Sequence, residues 1–95
     1  MKLVTIVEGK IPLARAQEFE AAYVTLGFFP PGLVESRLIK STAAQGLYRI
    51  ETVWESREAL EKYRSMDKTP AAIALFQKVG VSPKVEIYDL CHNFE

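Results

Sequence analysis

The 95-residue chain is 48% apolar, 25% charged and 11% aromatic, the proportions of one small globular domain and not of a disordered segment. Twelve basic and twelve acidic side chains cancel to a formal charge of zero, so no electrostatic excess recruits nucleic acid or anionic lipid. The longest apolar run, 71–76, is six residues against the roughly 20 of a membrane span, Glu8 arrives too soon for a secretory signal, and the single cysteine excludes an internal disulfide. A cytoplasmic location is expected, with no membrane and no nucleic acid as partner. A chain this short removes only somewhat over ~60% of its unfolded surface on folding, so self-association would help its thin core.

Residues 3–7 hold Val4, Ile6 and Val7 at β-branched positions and are bounded by Gly9 and Pro12, a strand pattern. Both alternating sets, Leu3/Thr5/Val7 and Val4/Ile6, are largely apolar, so both faces of this strand are expected to be covered. From Pro12 the period changes, because Ala16, Phe19, Tyr23 and Leu26 recur at helical spacing while Arg15, Gln17, Glu18 and Glu20 fill the remaining arc. This predicts a helix over 12–26, with Pro12 in the first turn and Gly27 left-handed past the end. Phe28-Phe29-Pro30-Pro31-Gly32 reads as a stiff connection, since each proline fixes its own φ and drives the residue before it toward extended geometry.

Two strands follow, over 33–42 and 47–54, separated by Ala43-Ala44-Gln45-Gly46, a loop short enough for an antiparallel hairpin. Ser41, Thr42 and Gln45 read as turn residues. In the second arm Tyr48, Ile50, Thr52 and Trp54 share the face assigned to the helices, while Leu47, Arg49, Glu51 and Val53 share the other, where Arg49 and Glu51 are expected in ion pairs. Ser56 caps a second helical region, with Glu58 in its first turn and Ala59, Leu60, Tyr63 and Met66 as its buried stripe. Thr69-Pro70 repeats the start signal, so the region is broken in two, and Ile73, Phe76 and 77–79 carry the pattern to Gly80. Pro83 opens a last strand in which Val85 and Ile87 alternate with Glu86, Tyr88 and Leu90.

The order β-α-β-β-α-β predicts a single α+β domain of ferredoxin-like type over 1–95, with both helical regions on one face of a four-stranded antiparallel sheet. The other face then lacks a cover. The apolar second set of the first strand, with Tyr88 and Leu90 on the last, predicts a homodimer whose sheets face each other.

Topology of this kind selects no function, so the residues must. The third strand lacks the stacked aromatics and basic residues of an RNA-recognition sheet, and no phosphate loop, nucleophile elbow or His-Glu-x-x-His helix occurs. His92 stands beside Cys91 with Asp89 and Glu86 near in sequence, but these supply no recognisable ligand set, so no metal is expected. Trp54 ends its strand just before a helix cap, where its ring either packs the core or lines a space between sheet and helices; composition alone favours packing. Tyr23 and Tyr63 carry hydroxyls that need partners if buried. Glu8 and Glu20 are the carboxylates to consider for acid–base work, and both are expected to be solvated.

With Pro31-Gly32 leading into Leu33-Val34-Glu35-Ser36-Arg37, the segment Gly46-Leu47-Tyr48-Arg49-Ile50, and above all Thr52-Val53-Trp54-Glu55-Ser56-Arg57-Glu58-Ala59-Leu60-Glu61-Lys62-Tyr63, the chain resembles the antibiotic biosynthesis monooxygenase family of the dimeric α+β barrel group. The resemblance implies a homodimer, a pocket between sheet and helices, and oxygen chemistry without flavin, metal or other cofactor, in which a small aromatic molecule, a polycyclic phenol or quinol, supplies the electrons. It implies catalytic positions at Trp54 and Tyr63 and substrate contacts at Tyr23, Thr52, Ile50, Thr5, Phe19 and Ile73. Quinone-forming members place an Asn four residues before this Trp, where the chain has Ile50, and many carry His where Tyr63 stands. The haem-degrading branch uses an Asn, a Trp and an axial His where this chain has Thr5, Tyr63 and Ile73, which argues against haem. The alternative is a non-catalytic member that binds a small apolar molecule or serves as an interaction scaffold, and a third reading, isomerisation or decarboxylation of a ring acid, requires a His or carboxylate in the pocket.

Overall fold

The computed structural model describes residues 1–27, 30–66 and 69–94. Its strands are β1 (Leu3–Lys10), β2 (Leu33–Lys40), β3 (Leu47–Trp54) and β4 (Lys84–Asp89), and its helices α1 (Ala16–Val24), α2 (Arg57–Met66) and α3 (Ala71–Lys78). The strands form one antiparallel sheet in the order β2-β3-β1-β4, the split arrangement that the order of elements predicts. β2 and β4 are free edges, so the sheet is open and no barrel closes within one chain.

Strand alternation decides which side the helices cover. Leu3, Thr5 and Val7 of β1 and Tyr48, Ile50, Thr52 and Trp54 of β3 are all buried, and β1 and β3 pair with Leu3 opposite Trp54 and Val7 opposite Ile50. Against this face the core forms in two parts. One gathers Val7, Tyr48 and Ile50 with Phe19 of α1 and Leu75 and Phe76 of α3; the other joins Leu3 and Trp54 to Leu60 and Tyr63 of α2. Phe19 binds the first part together, its ring centroid 4.7 Å from Phe76 and 5.3 Å from Tyr48, within the range of favourable aromatic pairs.

Several boundaries differ from expectation for identifiable reasons. Pro12 has ψ 136°, outside helical geometry, so it precedes a 3₁₀ turn at Leu13–Arg15 instead of occupying a first α-turn, and α1 begins only at Ala16. Leu26 lies beyond the end of α1 and is exposed, while Gly27 takes the expected left-handed conformation at φ 51°. β2 stops at Lys40 because the Ser41 hydroxyl turns the chain, accepting from the Ala43 and Ala44 amides at 3.1 and 2.8 Å. Ser56 caps α2 as predicted, its Oγ accepting from the Ala59 N–H at 3.1 Å. Met66, the last residue of α2, is exposed and not part of the buried stripe. Phe28 and Phe29 of the predicted stiff connection lie outside the described residues; Gly32, at its end, has φ +89° and lies so close to α2 that a Cβ there would stand 2.4 Å from the Ala59 Cβ. Its carbonyl accepts the Glu55 N–H at 2.7 Å, tying the start of β2 to the chain entering α2.

The uncovered sheet face is less oily than the sequence pattern implied. Glu8, Arg49, Glu51 and Arg37 form a row of alternating charge across β1, β3 and β2, with N···O distances of 2.7, 3.6 and 2.9 Å. This confirms the pairing expected of Arg49 and Glu51 and gives Glu8 an ion-pair partner. Apolar residues flank the row, including half-buried Val4 and Ile6 and exposed Ile39 and Tyr88. Among the described residues no helix is long and apolar enough to cross a membrane, and no cluster of ligating side chains could hold a metal.

Candidate functional site

A cavity of about 300 Å³ opens where the two parts of the core meet. Ile50 and Tyr23 reach it from the first part, Trp54 and Tyr63 from the second, and Leu33 and Pro30 close it on the side of β2. The residues that line it from α3, Ala71 and Ala72, are small and leave the space unfilled. Most of its wall is aliphatic or aromatic. Among the described lining residues none is charged, and the polar groups are hydroxyls.

Three of these hydroxyls form a chain. Tyr23 Oη donates to Ser36 Oγ at 2.9 Å, and Ser36 Oγ lies 3.3 Å from Thr52 Oγ1, where either atom can donate. Ser36 comes into line with Thr52 because β2 and β3 pair Ser36 opposite Thr52, after an irregularity between Leu33 and Glu35 that resets the alternation of β2. Three hydroxyls carry three hydrogens and the two links consume two, which leaves one O–H hydrogen on Ser36 or Thr52 with no acceptor among the described residues.

Tyr63 is held differently. Its Oη accepts the Ala71 N–H at 2.9 Å, closing one of the orphan amides at the start of α3. The predicted cap of α3, Thr69, makes no such bond; Pro70 stands at the cap position and offers no side-chain acceptor, so the helix is capped by a phenol eight positions earlier in the chain. With its oxygen accepting, the Tyr63 hydroxyl keeps its own hydrogen available to donate, and no acceptor for it occurs among the described residues. Trp54 stacks on Tyr63 with centroids 5.1 Å apart and planes tilted by 32°, while its Nε1–H donates to Thr5 Oγ1 at 3.1 Å. Thr5 in turn lies 3.5 Å from the Thr52 carbonyl. The indole N–H is thus committed to Thr5, which does not line the cavity.

Of the positions singled out from the sequence, Trp54, Tyr63, Tyr23, Thr52 and Ile50 converge on the cavity and Thr5, Phe19 and Ile73 do not line it. Thr5 stands behind Trp54 as its hydrogen-bond partner. Phe19 is fully enclosed between Tyr48 and Phe76, and Ile73 packs against the same part of the core. Helical periodicity places Phe19 and Tyr23 on one face of α1 but not on one environment, since a single turn separates core from cavity. Ser36 was not singled out; the usable signal was its cross-strand position relative to Thr52, which the irregularity near Val34 concealed.

The carboxylates stand apart from the cavity. Glu8 is committed to Arg49, and Glu20 accepts a hydrogen bond from Tyr48. That bond, with burial, pushes the Tyr48 phenol up to about 12. Neither carboxylate lines the cavity, so isomerisation or decarboxylation by an enclosed acid–base pair finds no residue there among those described.

By sequence, no family model and no curated protein matches the chain. By structure the likeness is extensive. A Caulobacter crescentus protein assigned to the antibiotic biosynthesis monooxygenases superposes with a TM-score of 0.75 at 23% identity, over 96% of this chain and 91% of that one. SnoaB of Streptomyces nogalater, a cofactor-independent oxygenase, gives 0.72 at 18% identity, covering 97% and 95%. The fold is that of the antibiotic biosynthesis monooxygenases. A heme-degrading protein of Mycobacterium tuberculosis gives 0.73 at 17% identity over the whole of both chains, so this one monooxygenase-type fold accommodates different chemistries, and identities of this size carry the architecture alone.

Proposed function

We propose that the protein is a cofactor-independent monooxygenase that oxidises a small aromatic phenol or quinol with O₂ in the cavity beneath the helices. The carrying observation is the pairing of an apolar, ring-walled chamber with hydroxyl donors that have hydrogens to spare at Tyr63 and in the Tyr23–Ser36–Thr52 chain. Such donors stabilise charge on a substrate oxygen as its proton leaves, and an apolar surround strengthens that effect. The resulting electron-rich anion passes one electron to O₂, the radical pair joins as a peroxide on a ring carbon, and loss of water leaves a carbonyl. With the reacting ring carbon written as the CH₂ of the phenol's keto tautomer, the balance is CH₂ + O₂ → C=O + H₂O, all four electrons being drawn from the substrate. No carboxylate or imidazole lines the cavity among the described residues, so in this reading the proton leaves to water at the cavity mouth and substrates with acidic C–H or O–H groups react best.

The test is oxygen uptake with anthrone and a panel of naphthols and quinols. Uptake above the uncatalysed rate, rising with pH as the substrate ionises and lost in Trp54→Phe while the fold persists, is the expected result. A panel without enzyme-dependent uptake refutes the proposal. One observation favours a second reading, a non-catalytic binder of the same ligands: both aromatic candidates are engaged structurally, Trp54 with Thr5 and Tyr63 with Ala71. Ligand-dependent stabilisation with the ligand recovered unchanged would establish that version.

The proposal includes a homodimer through the open sheet face and a cytoplasmic setting. Val4, Ile6, Ile39 and Tyr88 flank a charge row that neutralises itself, a surface that a second copy can cover without stranding a charge. Sedimentation as a fully folded single chain at high dilution would remove the dimer.

A further inference from the structure

The cavity contains its own statement of what ligand it takes, which rests on the reading of that cavity as the substrate site. We propose that the Tyr23–Ser36–Thr52 hydroxyl chain is the oxygen-recognising end of the cavity, and that its ligand is an uncharged aromatic bound through a hydroxyl or carbonyl oxygen. Ser36 is the specificity-determining residue.

The hydrogen count supplies the first step. Among the described residues the chain of three hydroxyls leaves one O–H hydrogen unconsumed, on Ser36 or Thr52, and lone pairs unused on its oxygens. It therefore both donates to a carbonyl and accepts from a hydroxyl. The donor position moves between the two residues according to which of them donates in the 3.3 Å link, so a hydroxyl and a carbonyl are accommodated by reorienting hydrogens alone. A carboxylate is served poorly: it brings a full charge into a wall whose described members hold no cation, and burying a charge without an ionic partner is costly. A hydrocarbon without oxygen leaves the spare hydrogen unmet, a loss that lowers its affinity relative to the oxygenated analogue.

Volume supplies the second step. About 300 Å³ stands at the lower end of small-molecule pockets, and at about 30 Å³ of liquid volume per water it holds about ten waters. An aromatic ring system carrying one oxygen fits that space. Ile50, Leu33, Trp54 and Tyr63 supply apolar contact to a flat ligand.

The experiment is calorimetric binding of three probes to the full chain: 1-naphthol, naphthalene and 1-naphthoate. Wild type is expected to bind 1-naphthol at least fivefold more tightly than naphthalene and at least tenfold more tightly than naphthoate. Ser36→Ala is expected to weaken naphthol about fivefold and to leave naphthalene within twofold; Ser36→Thr, which restores the hydroxyl, recovers part of the loss and controls for packing. Circular dichroism checks that each variant is folded. Naphthoate binding as tightly as naphthol, an unchanged naphthol-to-naphthalene ratio in Ser36→Ala, or no binding by any probe overturns the inference. Oxygen uptake is read separately. Ser36-dependent naphthol binding without uptake supports this assignment and removes the oxygenase, whereas uptake with binding indifferent to Ser36 removes this assignment and leaves the oxygenase.

Discussion

Tyr63→Phe isolates the hydroxyl that joins α2 to α3. Phenylalanine keeps the ring, and with it the stack on Trp54 at 5.1 Å and most of the burial of a side chain that is 8% exposed. What disappears is the acceptor 2.9 Å from the Ala71 amide. That amide belongs to the first turn of α3, where no intrahelical carbonyl can reach it, and Pro70 before it contributes no side-chain acceptor. Loss of an N-terminal cap costs about 0.5–2 kcal/mol and an unsatisfied buried donor about 1–3. The Ala71 site is only partly buried, so water entering the cavity recovers some of the bond, and a loss of about 1–1.5 kcal/mol is expected. With a urea slope of about 1–1.5 kcal/mol/M for a domain of this size, the midpoint should fall by about 1 M, measured by circular dichroism at equal chain concentration. Amide exchange at Ala71 should accelerate more than exchange in the middle of β3. A midpoint shift below about 0.2 M, with Ala71 still protected, would refute the view that this phenol caps the helix.

Trp54→Phe removes both the indole N–H bond to Thr5 at 3.1 Å and part of a buried ring, and should cost about 1–3 kcal/mol by chemical denaturation while enlarging the cavity; an unchanged midpoint would contradict the buried placement. Gly32→Ala forces a Cβ to 2.4 Å from that of Ala59 at a φ of +89°, and should cost about 2 kcal/mol or more on the same scale, with α2 losing amide protection first. Tyr48 binds its proton more tightly folded than unfolded because its hydroxyl donates to Glu20, so the stabilisation is fully present below pH ~10 and declines as pH rises toward about 12. In Glu20→Gln the alkaline absorbance change assigned to Tyr48, by difference from Tyr48→Phe, should move to lower pH; an unmoved titration would show that the carboxylate is not responsible.

Hydropathy period and turn residues were enough to order the elements, because β1, β3 and the helices each bury one side and their sequences repeat at the spacing of that burial, while Gly and Pro bound the edge strands. The same alternation put Tyr48, Ile50, Thr52 and Trp54 on one face and Arg49 and Glu51 on the other, and Ser56 and Gly27 marked their helix ends by local chemistry alone. Partners distant in sequence followed no such rule. Ser36 meets Thr52 only after an irregularity near Val34 shifts the phase of β2, and Tyr63 caps α3 because Pro70 leaves the Ala71 amide open beside it. Phe19 and Tyr23, one turn apart on α1, fall into core and cavity because the small Ala71 and Ala72 leave space unfilled at the cavity that Tyr23 lines, while Phe76 packs against Phe19. Periodicity records which side of an element is dry; which groups meet there, and whether they close the space or leave it open, depends on side-chain sizes and hydrogen-bond vectors brought together only when the elements pack.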